Sequence, residues 1–98
     1  MNLEPDEKLA IQARARDVEI AVTDRRLLVA ANDRLALDIP LDGLRRIQFD
    51  IERTRPATMV IVPEQPRNEP QVLAVDPEDF EAVARVLVIV GRRLAEPH

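Results

Sequence analysis

Residues 76–94 read DPEDFEAVARVLVIVGRRL, and this stretch carries the one strong helical period in the chain. Phe80, Val83, Leu87, Val90 and Leu94 recur at steps of 3, 4, 3 and 4, which lays a single apolar stripe along a helix. Asp76 stands where a capping side chain is wanted, and Pro77 suits a first helical turn. Glu78 and Asp79 favour the positive end of the helix dipole. The spacing predicts a helix over about 77–95. Its stripe needs a surface to cover.

The residues upstream supply that surface as short strands. Leu9, Ile11 and Ala13 alternate within 8–13, and Val18, Ile20 and Val22 alternate with Asp17, Glu19 and Ala21. Leu27–Ala31 is a further short strand. Leu35, Leu37 and Ile39 alternate until Pro40 ends the run, and Ile47, Phe49 and Ile51 alternate beyond it. Thr58–Val62 is apolar almost throughout, as expected of a strand covered on both faces or lying at an interface. Gln71–Val75 then feeds the helix directly. Asn32-Asp33-Arg34 and Leu41-Asp42-Gly43-Leu44 read as connections, with a positive φ expected at Gly43. Three prolines make Pro63–Pro70 the longest loop. The whole pattern predicts a mainly β domain: a seven-stranded antiparallel, partly open barrel closed by its C-terminal helix. Residues 1–7 read as a loose tail and 8–95 as a single domain.

Composition removes several function classes. The chain has 98 residues, no Cys, no Trp and no Tyr, and the sequence contains no Ser. Its one histidine is the last residue, His98. Nucleophilic systems built on Ser/His or Cys/His are therefore excluded, and no enzyme activity is expected. Gly43 and Gly91 are isolated, so no phosphate-cradling loop can form. The formal net charge is −4 and the only aromatic residues are Phe49 and Phe80. Base stacking lacks the rings it needs, and no nucleic-acid partner is expected. The sequence has no long apolar run and its first residues are acidic, which predicts neither a membrane span nor a secretory signal. The expected location is cytoplasmic, membrane-peripheral at most.

Val22-Thr23-Asp24-Arg25-Arg26-Leu27-Leu28-Val29, followed by Ile39-Pro40-Leu41-Asp42-Gly43-Leu44, resembles the segment shared by bacterial pleckstrin-homology-like (PH-like) and GRAM-like domains. The resemblance spans about Lys8 to Leu94. It implies seven short strands with a capping C-terminal helix, a framework that hosts lipid binding, peptide binding and oligomerisation alike. Bacterial members of this kind often assemble into oligomers.

Three candidate surfaces follow. Val86 and Ile89 fall outside the apolar stripe and lie with Ala82 and Arg93 on the back of the helix, which suggests a contact with a partner protein or a second copy. The apolar strand Thr58–Val62 is the next candidate for the same role. The alternative is an anionic lipid headgroup: the family pattern places a Lys on the first strand and a basic-x-Arg pair after it, and Lys8, Arg14 and Arg16 match that loosely. Arg25-Arg26 and Arg45-Arg46 are expected to pair with Asp24, Asp42 or Asp50. Asp76, Glu78 and Asp79 are assigned to helix capping; no metal and no cofactor are expected.

Overall fold

A computed structural model describes residues 3–32 and 34–95. Seven antiparallel strands form two sheets. The first sheet runs β1 (Leu9–Ala15), β2 (Val18–Thr23), β3 (Arg26–Ala31), β4 (Arg34–Pro40), in sequence order. The second runs β5 (Leu44–Glu52), β6 (Arg55–Pro63), β7 (Gln71–Val75). A 3-10 turn at Leu41–Gly43 joins the sheets, and another at Pro77–Asp79 leads into α1 (Phe80–Ala95). The two sheets are not closed into the expected barrel. They meet at one corner, where the Arg16 amide donates to the Ala74 carbonyl at 2.8 Å.

The alternation seen in sequence places the core between the sheets and under the helix. Ile20 and Val22 of β2, Leu27 and Val29 of β3, and Leu37 and Ile39 of β4 face inward. They meet Met59 and Ile61 of β6, Leu73 and Val75 of β7, and Val83, Val86 and Val90 of α1. Phe80 reaches Phe49 edge-on, with ring centroids 5.5 Å apart at 81°.

Several expectations are corrected here. Leu35 does not share the face of Leu37 and Ile39. Val29 pairs with Leu37 but Ala30 pairs with Leu35, so Ala36 is an extra residue in β4. The bulge moves Leu35 to the opposite face, where it is exposed. Gly43 has no positive φ; that conformation falls on Asp17 (63°) and Asn32 (50°), in the hairpin turns. A Cβ on Gly43 would sit 3.2 Å from the Pro40 ring, so close approach is what the position demands. Gly91 lies exposed on the helix with no atom near its missing Cβ. Asp76 stands at the N-cap but makes no capping bond: its carboxylate accepts from Arg16 at 2.6 Å.

The N-terminal residues expected to form a loose tail are tied to the β2–β3 hairpin. The Glu7 carboxylate is fully enclosed and accepts from Thr23 Oγ1 at 2.6 Å and from Arg26 Nε and Nη2 at 2.8 Å. The Arg26 guanidinium, then the Thr23 hydroxyl, hold this carboxyl far below its ordinary value, at about 2. Arg25 reaches Glu4 at 2.7 Å and Asp6 at 2.6 Å, and Arg26 also reaches Asp38 at 2.9 Å. The Arg25-Arg26 doublet is therefore paired, but with acids of the N-terminal segment and β4 rather than those expected.

Candidate contact face on the second sheet

The helix does not present the face expected of it. Val86 is fully buried, and Ala82 and Ile89 are partly buried against the core, as are Phe80 and Leu87. Arg93 is half-buried, while Val88 and Leu94 are exposed. The buried face is thus turned by roughly 45° from the predicted stripe, at the 100° per residue of a helix. It centres on Val83, Val86 and Val90, whose compact side chains let the helix backbone approach the sheets. The bulkier Phe80 flanks that line and packs on Phe49. A contact role for Val86 is removed by its burial.

The second candidate, Thr58–Val62, alternates strictly. Met59 and Ile61 are buried, while Thr58, Val60 and Val62 are partly exposed on the outward face. Register extends this face across the sheet. Val60 pairs with Gln48 on one side and Val72 on the other, Thr58 with Asp50 and Ala74, and Val62 with Arg46. Val72 is 67% exposed, more than any other large apolar residue described. Thr58, Val60, Val62, Val72 and Ala74 thus make one continuous, mainly apolar surface on β6 and β7. Arg46, Gln48 and Asp50 border it along β5. Sequence reading missed Val72 and Ala74, because β7 was seen only as the strand feeding the helix. The available signal was that β6 and β7 both carry consecutive apolar residues, so each must place some outside.

The lipid-headgroup residues are not brought together. Lys8 sits at the start of β1, where its amide donates to Asp24 Oδ1 at 3.0 Å. Arg14 and Arg16 lie at the other end of β1, some 20 Å away at about 3.3 Å per residue. Arg16 is held by Asp76, which raises its already high pKa. Both arginines border an open concavity of about 890 Å³. Its charged lining comprises four arginines (14, 16, 26, 34) and five acids (Asp17, Glu19, Asp76, Glu78, Asp79), a mixed field rather than an anion cradle. Asp76, Glu78 and Asp79 bring three carboxylate oxygens within 4.8 Å of one another, beside the Arg16 guanidinium.

No family model, curated protein or solved structure matches the chain. Among the described residues no helix is long and apolar enough to cross a membrane.

Proposed function

We propose that this chain is a PH-like interaction module, without enzymatic activity, that works by protein–protein contact through the outward face of β5–β7. The order of four strands, three strands and a C-terminal helix supports the PH-like reading, as does the Thr-Asp-Arg-Arg hairpin between β2 and β3. The observation that carries the contact reading is the outward apolar stripe of exposed Val72 and partly exposed Val60, continued by the partly exposed Val62 and Ala74. An outward sheet face on a soluble domain ordinarily alternates to polar residues. This one spends β-branched apolar side chains on solvent, the pattern of a surface covered part of the time. The residue inventory, with no Ser, Cys or Tyr, supports the non-enzymatic part.

The test is a photo-crosslinking amino acid placed at position 72 or at position 88 in the chain as it is expressed in its own cell. Position 72 yields a discrete covalent adduct and position 88, on the exposed side of α1, does not. Absence of an adduct from position 72 would remove the face from consideration.

A further inference from the structure

Arg46, Gln48 and Asp50 project from one side of β5, opposite Val62, Val60 and Thr58 of β6. The row Gln48–Val60–Val72 therefore runs across all three strands with Arg46 on one side of it and Asp50 on the other. At about 3.3 Å per residue, each charge stands roughly 7 Å from that row. The Asp50 carboxylate accepts from the Gln48 amide at 2.9 Å, which fixes its position on the face. Arg46 makes no ion pair among the described residues.

We propose that the occupant of this face is a second copy of the chain, packed face to face across a two-fold axis lying along the Gln48–Val60–Val72 row. The proposal rests on the contact-module reading of the same face. A two-fold along the row reverses the strand direction and leaves the order of strands unchanged. It sets Arg46 of each copy against Asp50 of the other, twice, and stacks Val60 and Val72 on their own counterparts. The face is thus self-complementary in charge, as an isologous interface requires. Facing sheets pack about 10 Å apart, a gap that an extended Arg and an Asp can bridge between them. No other axis in the interface plane achieves this. A two-fold parallel to the strands would stack β5 on β7, which carries no charged residue.

The size of the face sets the strength. Three strands at about 4.8 Å and five residues at about 3.3 Å give on the order of 15 Å on each side. That is below the roughly 800 Å² per partner of a standard interface, so the dimer is weak and concentration-dependent.

Sedimentation equilibrium over a concentration series tests this. The wild-type mass rises towards twice the 11.1 kDa of one chain. Arg46→Asp and Asp50→Arg, each alone, juxtapose like charges twice and weaken association at least 10-fold. Mixed in equal amounts, the two variants restore both attractions and associate again, which also shows that each is folded. The double variant R46D/D50R associates as the wild type does. A wild type that stays monomeric across the series, or a mixture that stays as monomeric as its components, would overturn the proposal. If Val60→Asp lowers the mass while both charge reversals leave it unchanged, the contact face stands and the two-fold pairing falls. If Val60→Asp also leaves the mass unchanged, the copies associate through another surface and this proposal falls, while the contact reading still rests on the crosslink at position 72.

Discussion

Arg46 and Asp50 leave the same side of β5, with Gln48 and its neighbour Val60 midway between them. The arrangement is produced by local rules alone. Ile47 and Phe49 must face the core, so their alternating neighbours face out. β6 aligns its own outward residues beside them. What the local rules do not dictate is that Thr58, Val60, Val62, Val72 and Ala74 should be mainly apolar, and that surplus is the basis of the functional reading.

Val72 lies outside the core, and its substitution separates contact from stability. Val72→Thr keeps the β-branched shape and loses only apolar surface. Its unfolding free energy, measured by urea titration, stays within about 0.5 kcal/mol of the wild type. Solubility at high concentration rises.

The rotation of α1 reverses the ranking expected from the sequence stripe. Val86→Ala removes two buried carbons and costs about 2 kcal/mol or more. Leu94→Ala removes more carbon from a side chain in the last helical turn that remains 41% exposed, and costs less, on the order of 1 kcal/mol. Urea midpoints of the two variants decide it: a larger loss at position 94 would contradict the observed packing.

Glu7 ties the N-terminal segment to the β2–β3 hairpin, with a consequence for acid stability. Its carboxyl titrates near 4.5 when free and at about 2 in the fold. A depressed value means that its contribution is complete above about pH 4.5 and is lost as pH falls from there towards 2. Glu7→Gln cannot ionise and leaves Arg26 without this carboxylate. Thermal midpoints of the variant lie below those of the wild type at pH 7, and the two curves converge as pH falls below 4. Parallel curves across that window would contradict the assignment.

Gly91 sits on an exposed helical position with open space where a Cβ would be. Gly91→Ala lowers the conformational cost of the helix and meets nothing. A gain of about 0.5–1 kcal/mol in unfolding free energy is expected. A loss would show that something packs against this side of α1.

The strands were largely legible because a period of two is set by the pleat. β2 was readable from Val18, Ile20 and Val22, and β7 was bounded at Gln71 and Val75. The helix was legible from its 3–4 spacing, but its rotation was not. Phe80, Val83, Leu87, Val90 and Leu94 satisfy the period as well as the observed face does; the choice depends on how closely compact Val residues let the backbone approach. The bulge at Ala36 was invisible, since Leu35, Leu37 and Ile39 alternate without a break and only the pairing with β3 reveals the extra residue. Glu7 was missed because an acidic N-terminus looks solvated until Thr23 and Arg26 are brought beside it. The contact face was half legible: Thr58–Val62 announced it, but Val72 and Ala74 joined it only through the register of β6 with β7.

The most direct test of self-association through the contact face is a concentration series of amide spectra on the isotopically labelled wild-type chain. The account predicts shift changes that grow with concentration and gather at Gln48, Thr58, Val60, Val62, Val72 and Ala74. Shifts that gather at Val88 and Gly91 on α1, or spectra that do not change with concentration, would contradict it.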